Sequence, residues 1–467
     1  MRRKRFPRII IAGTKGGSGK TLVSLGLITL LRSKALSVVP FKKGPDYIDS
    51  GWLSFAAGVP CYNLDPFLMT EGAIRSSFRD HYSNADIAVI EGNRGLYDGM
   101  DAKGSCSTAE LSKMLEAPVV VVLDCTKVTR TAGAFLLGML KFDRSVRIAG
   151  VVLNQIAGVR HERLIHEVIA QTCNIPVVGA IPRLPGGYLS ERHMGLTPFQ
   201  EHPDVEKAVS YAGEIARKYL DIDEIRRVAS SSPPVSEGEG SQPLNEDGRG
   251  LKIGIIKDSA FQFYYPDNFE ALLRRGAELV EINALDSRDL PRVDALYIGG
   301  GFPETHAIAL AENVSFRKAL KRAVEKGLPV YAECGGLMYL GKSIVSGGKS
   351  YPMADVFPLR FSLEKKPAAH GYTMVRVESA NPFYKKGTLL RGHEFHYSRV
   401  LDGSLRQGSR YTFGMRRGKG ITQKLDGISY RNVLATYTHT HALGTPEWAD
   451  GMIRQAKSFR RKRLSHG

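Results

Sequence analysis

The stretch Pro329-Val330-Tyr331-Ala332-Glu333-Cys334-Gly335-Gly336 joins an apolar run to a cysteine and two glycines. The pattern predicts a strand, a sharp turn at Cys334 and a helix start. Such a turn lifts a thiol above a sheet edge. Helix-start N–H groups favour the thiolate, the form that attacks a carbonyl carbon. Cys334 is therefore the candidate nucleophile. Two histidine pairs follow, in Arg391-Gly392-His393-Glu394-Phe395-His396 and in Tyr437-Thr438-His439-Thr440-His441. If Val433 to Thr440 is a strand, Tyr437, His439 and His441 share a face. His439 can then take the thiol proton while His441 orients it. A metal site is the rival reading of the four histidines, but no acidic or thiol ligand stands at a supporting spacing. Upstream, the expected strand Ala295 to Ile298 runs into a triple glycine, where Gly300 and Gly301 can turn N–H groups toward an oxyanion.

A second constellation opens the chain. Arg8 to Gly13 is a short apolar strand, followed by Thr14-Lys15-Gly16-Gly17-Ser18-Gly19-Lys20-Thr21 and an apolar helix through Leu31. Glycines let the backbone wrap phosphate oxygens, Lys20 reaches the terminal phosphates and the Thr21 hydroxyl can ligate magnesium. Lys15 is an extra lysine in this phosphate loop. The loop Lys42-Lys43-Gly44-Pro45-Asp46-Tyr47-Ile48-Asp49 follows another strand. Its carboxylates Asp46 and Asp49 can hold magnesium or its water, and Lys42 or Lys43 can face an acceptor's carboxylate. Glu91, at the end of the strand Ile87 to Ile90, takes the position of a second magnesium or water ligand. The glycine-rich loop after it carries Arg94 and Asp98, both available for polar contacts.

The elements that must position these groups alternate. Strands at Pro118 to Asp124 and Ile148 to Asn154, separated by helical sequence, argue a parallel sheet covered on both faces. Asn154 can read a nucleotide base or simply close a turn. Between 229 and 250 the composition turns to Ser, Pro, Gly and Glu, which predicts a linker. That divides the 467 residues into a phosphate-loop domain at 1–228 and a second α/β domain at 251–459. The formal net charge of +18 points to an anionic partner. Much of the excess lies in terminal arms and loops, and no recognition helix with interleaved aromatics is present, which argues against nucleic acid. Five cysteines show no C-x-x-C, so the reading is a reducing cytoplasm, with no signal peptide and no membrane span.

Taken together, the phosphate loop, Lys43 to Asp49, Asn63-Leu64-Asp65, Glu91-Gly92 with Gly95 to Gly99, Ser107-Thr108-Ala109, Ala332 to Leu340, Gly392 to Ser398 and Tyr437 to His441 resemble the cobyrinic acid a,c-diamide synthase family. The resemblance covers nearly the whole chain. It implies a phosphate-loop domain similar to dethiobiotin synthetase, joined to a class I glutamine amidotransferase domain. It further implies that glutamine is hydrolysed at the cysteine, that ATP activates a tetrapyrrole acetate carboxylate as an acyl phosphate, and that ammonia displaces the phosphate. By position, Cys334 is the nucleophile, His439 its base, and His441 stands where many relatives have glutamate. Lys15 to Thr21 hold ATP, and Thr21, Asp46 and Glu91 hold Mg2+. Lys43, Asp46, Tyr47, Ile48, Arg94 and Asp98 lie near the tetrapyrrole polycarboxylate. Asn93-Arg94 and the Ala442 to Trp448 segment look closer to relatives that amidate sirohaem or nickel sirohydrochlorin. Lys15-Gly16-Gly17 resembles dimeric partitioning ATPases, which supplies a remote alternative of another class and leaves a homodimer possible.

Overall fold

The computed structural model describes residues 6–82, 85–185, 191–192, 195–234, 246–403, 405–422 and 424–465. They form two compact units, 1–241 and 242–467. Among the described residues no helix is long and apolar enough to cross a membrane.

In the first unit, apolar runs become the central strands β1 (Arg8–Gly13), β2 (Val38–Lys43), β3 (Tyr62–Leu64), β4 (Ile87–Gly95), β5 (Val119–Asp124), β6 (Ile148–Ile156) and β7 (Val177–Pro182). Their order in the sheet is β3-β2-β4-β1-β5-β6-β7, and the pairings are parallel. Both faces are covered, which is why β1 carries the run Ile9-Ile10-Ile11 and β5 the run Val119 to Val122. Helix α1 (Lys20–Ser33) starts directly after the left-handed Gly19, φ 94°. It packs its buried Leu25, Leu27, Ile28 and Leu31 into the core shared with Ala212 and Ala216 of the helix Val205–Tyr219.

The change of composition at 229 does not coincide with the end of this unit. The helix Ile222–Ser230 runs through it, Ala229 is buried, and the Ser232 hydroxyl donates to the Arg8 carbonyl at 3.0 Å. Of the expected linker, 235–245 lie outside the described residues.

The second unit is built on a ten-stranded sheet. Its parallel half runs Glu278–Ile282, Lys252–Ile256, Ala295–Ile298, Val330–Glu333 and Val433–Thr436. An antiparallel extension continues through Leu425–Tyr430, Arg410–Arg417, Ala369–Val377, Leu389–His396 and His439–Thr440. The register pairs Glu333 with Thr436 and His393 with His439. Residues far apart in sequence thereby meet at the carboxyl end of the parallel strands, where ligand crevices of open α/β sheets form.

The expected strand from Val433 to Thr440 is interrupted. The strand Val433–Thr436 stops, Tyr437 and Thr438 turn, and His439–Thr440 pairs with a different neighbour. The turn is held by the buried Asp426 carboxylate, which accepts from Thr436 Oγ1 (2.6 Å), Tyr437 N (3.0 Å), Thr438 N (3.1 Å) and Thr438 Oγ1 (2.9 Å).

Candidate active site

In the first unit the phosphate loop closes on itself through the Ser18 hydroxyl, which donates to the Lys15 carbonyl. Asn154 Nδ2 donates to the Ser18 carbonyl at 2.8 Å, and a Cβ on Gly19 would stand 2.3 Å from it. Asn154 therefore braces the loop from β6 rather than reaching for a base. The lysine after Gly19, Lys20, is mostly buried, and burial lowers its pKa, with Glu91 opposing. Lys15 is exposed and its ammonium lies 2.9 Å from Asp124.

Beside the loop, Thr21 Oγ1 donates to Glu91 Oε1 at 2.9 Å. Lys42, 1% exposed, sits among the carboxylates, its Nζ 2.8 Å from Glu91, 2.6 Å from Asp49 and 3.6 Å from Asp46. Burial alone would lower the Lys42 pKa, but Asp49, Glu91 and Asp46 raise it well above the ordinary value. Burial, with Asp49 as a like-charged neighbour, pushes Asp46 up to about 7. Burial also raises Glu91, while at Asp49 the Lys42 ammonium outweighs burial and lowers it.

Strand alternation sends Lys43 to the other face of β2. There burial lowers its pKa, with Asp65 opposing and Arg94 adding to the effect. Asp46 Oδ1 accepts from Ile48 N (3.1 Å) and Asp49 N (3.0 Å), so Asp46 and the Ile48 amide hold the turn into the helix Ile48–Ala57, with Tyr47 just before it. Asp98 Oδ2 accepts from Gly95 N at 2.9 Å, closing the loop that exposes Arg94. Both carboxylates thus have local structural partners that spacing did not reveal.

In the second unit Cys334 occupies a strained backbone position, φ 50° and ψ −99°, between the strand Val330–Glu333 and the helix Gly335–Leu340. Its N–H donates to the Thr436 carbonyl at 2.8 Å. Cβ positions built on the glycines show how closely this turn is packed. One on Gly335 would lie 3.0 Å from Gly301 N, and one on Gly300 would lie 2.5 Å from His439 Cε1 and 3.3 Å from its Nε2. The Gly299 to Gly301 loop therefore lies against both the cysteine turn and the His439 ring.

The helix-start N–H acts on the thiol in the expected direction, but burial opposes it more strongly. Burial pushes the Cys334 thiol well up, Glu304, Glu333 and Glu394 add to this, and the Gly335 N–H only partly opposes it.

The four histidines go to different partners. His439 stacks on His393, with ring centroids 4.8 Å apart, and its Nδ1 lies 3.5 Å from Glu333 Oε2. His393 Nδ1 meets the Tyr265 hydroxyl at 3.2 Å, and burial lowers the His393 pKa well below the ordinary value. His396 Nδ1 donates to the Ser398 carbonyl at 2.7 Å while its ring stacks on Tyr437. His441 is fully buried and points Nε2 at Asp267 Oδ2, 3.3 Å away. The carboxylate beside His439 is thus Glu333, and the expected orienting role of His441 is not what the geometry provides. The break in the strand at Tyr437 and Thr438 separates the directions of the two rings.

Residues 9–194 match the family described as the CobQ/CobB/MinD/ParA nucleotide binding domain, and residues 252–447 match the CobB/CobQ-like glutamine amidotransferase domain. The chain is similar to the cobyrinate a,c-diamide synthase of Magnetococcus marinus, 41% identical over 96% of this chain and 97% of that protein. It is likewise similar to the cobyrinate a,c-diamide synthases of Archaeoglobus fulgidus, 39% identical over 97% and 98%, and Methanosphaera stadtmanae, 38% identical over 96% and 99%.

Proposed function

The chain belongs to the cobyrinate a,c-diamide synthase family, and from that premise we propose that its second unit releases ammonia from glutamine at Cys334 while its first unit spends ATP to amidate the a and c acetate carboxylates of a tetrapyrrole. The observation that carries the reading is the glycine loop at 299–301, packed against both the Cys334 turn and the His439 ring. His439 takes the Cys334 proton as the sulfur attacks the glutamine side-chain carbonyl. The N–H groups of Gly301 and Gly335 receive the oxyanion, His439 returns the proton to the departing nitrogen, and water hydrolyses the thioester to glutamate.

In the first unit, Lys20 and the 15–21 loop hold the ATP phosphates. A carboxylate is a poor electrophile until phosphorylated, so the acceptor takes the γ-phosphoryl group, and ammonia then displaces phosphate from the acyl phosphate. Mg2+ fits beside the loop. Glu91 Oε2 is buried without a hydrogen bond, and Thr21 and Asp46 stand near it. Among the described residues no three His, Cys, Asp or Glu side chains form a metal-holding group, so phosphates and water would supply the remaining ligands, as is usual for this ion. When bound, it would neutralise charge on the β- and γ-phosphates.

Lys43 and Arg94 supply positive charge for the polycarboxylate, with Tyr47, Ile48 and Asp98 flanking it. The names of the relatives favour cobyrinate over a sirohaem-type acceptor. All five cysteines are free, which fits a reducing cytoplasm.

The test is Cys334→Ala. Glutamate release and glutamine-driven amidation should vanish, while amide formation from free ammonium with ATP and cobyrinate continues. Loss of both would refute two separable sites.

A further inference from the structure

Glu333 precedes the nucleophile by one residue, and no feature of the reading above uses it. Its carboxylate is completely buried at the end of the Val330–Glu333 strand. A buried carboxylate persists only when its oxygens are satisfied and a positive or donating partner is at hand. Oε1 accepts from Thr440 N at 2.9 Å. Oε2 accepts from the Tyr297 hydroxyl at 2.9 Å and faces His439 Nδ1 at 3.5 Å. Tyr297 is in turn held by Asn268, whose Nδ2 reaches its hydroxyl at 3.3 Å and the Thr440 carbonyl at 2.9 Å. The group next to Nδ1 is therefore locked from two sides, while the Cε1 and Nε2 edge of the same ring lies against Gly300.

We propose that Glu333 is the positioning carboxylate of the glutaminase site, completing a Cys334–His439–Glu333 triad in which acid and nucleophile are adjacent in sequence. This rests on the glutaminase reading given above. The carboxylate accepts a hydrogen bond from Nδ1–H, which leaves Nε2 unprotonated and able to take the thiol proton. It then stabilises the imidazolium formed when Cys334 Sγ bonds to the amide carbon. The separation of 3.5 Å is long for a hydrogen bond, as is common in catalytic sites without substrate. No bond to Glu333 forms or breaks at any step.

The substitution Glu333→Gln separates a positioning role from a tethering one. The amide oxygen must serve Thr440 N, because that N–H can only donate. The amide NH2 then falls where Oε2 was. There it donates to His439 Nδ1 and drives the proton to Nε2, the wrong tautomer.

Steady-state glutaminase assays should show kcat lowered by about 10²- to 10⁴-fold with KM changed little. 15N NMR of labelled imidazole should show the His439 proton moved from Nδ1 to Nε2. Glu333→Asp keeps the charge and should recover at least part of kcat. A Gln variant within threefold of the unsubstituted enzyme, or an unchanged tautomer, overturns the proposal. If Glu333→Gln does not fold, an Asp variant that folds and has no glutaminase activity overturns it equally. Glutamine hydrolysis surviving in Cys334→Ala would sink the underlying reading instead, whatever Glu333 does.

Discussion

Lys42 is one ammonium set among Asp46, Asp49 and Glu91, with 1% of its side chain exposed. Glu91 is fully out of water and Asp46 and Asp49 are partly so, and the Lys42 ammonium offsets the cost of gathering them in the absence of nucleotide. Lys42→Met removes that charge and leaves a similar volume. Stability to urea should fall by about 3–5 kcal/mol, the usual cost of stripping one partner from a buried charge pair. Millimolar Mg2+ with a non-hydrolysable ATP analogue should restore part of it, because a ligand that binds only the folded state stabilises it by mass action. An unchanged urea midpoint without ligand would show that the carboxylates simply take up protons. Cys334 is governed by the opposite balance, with carboxylates near it and no cation among the causes of its shift. In the proposed reaction its proton is the one that His439 takes.

The strand ends and turns decide which of these groups meet. Gly300 leaves no room for a side chain, since a Cβ there would fall 2.5 Å from His439 Cε1. Gly300→Ala must push the ring or the loop aside. A misplacement of about 1 Å at a reacting group costs on the order of 10²-fold, which is the drop expected in glutaminase kcat at saturating glutamine. A rate within threefold of the original would show that the loop yields without disturbing the ring. This juxtaposition also marks where sequence reading stops. The strands β1, β4, β5 and β6, the Cys334 turn and the phosphate loop are legible because each is written in a contiguous run of residues. The partner of His439 is not, because it depends on the parallel register that pairs Glu333 with Thr436, across more than a hundred residues of chain. The pairing expected of His439 and His441 fails for a related reason. Asp426 collects the N–H groups of Tyr437 and Thr438 and turns the chain between the two rings. One usable sign was present. A carboxylate after an apolar run singled out Glu91 as a candidate ligand, and Glu333 holds the same position after its own run.

The two units differ in what they bury, and this predicts how each responds to base. In the second, burial raises the pKa of Tyr264, Tyr297, Tyr331, Tyr339, Tyr384 and Tyr437 above the ordinary tyrosine value. In the first, burial does so at Tyr82 and Tyr97. The unfolded chain ionises its tyrosines near pH 10 while the folded unit keeps them neutral, so above that pH the unfolded state binds fewer protons and stability falls as pH rises. Below pH 10 both states hold the proton and these groups contribute no pH dependence. The second unit holds more such tyrosines than the first and should therefore unfold at a lower pH as base is added. The chain offers its own probes, because its 2 tryptophans are divided between the units, Trp52 in one and Trp448 in the other, both fully buried. With Trp52→Phe and Trp448→Phe variants, fluorescence followed from pH 8 upward should show the Trp448 transition first, coincident with a cooperative rise in tyrosinate absorbance. Simultaneous transitions, or tyrosinate appearing at pH 10 with Trp448 still buried, would show that these phenols are not protected by the fold.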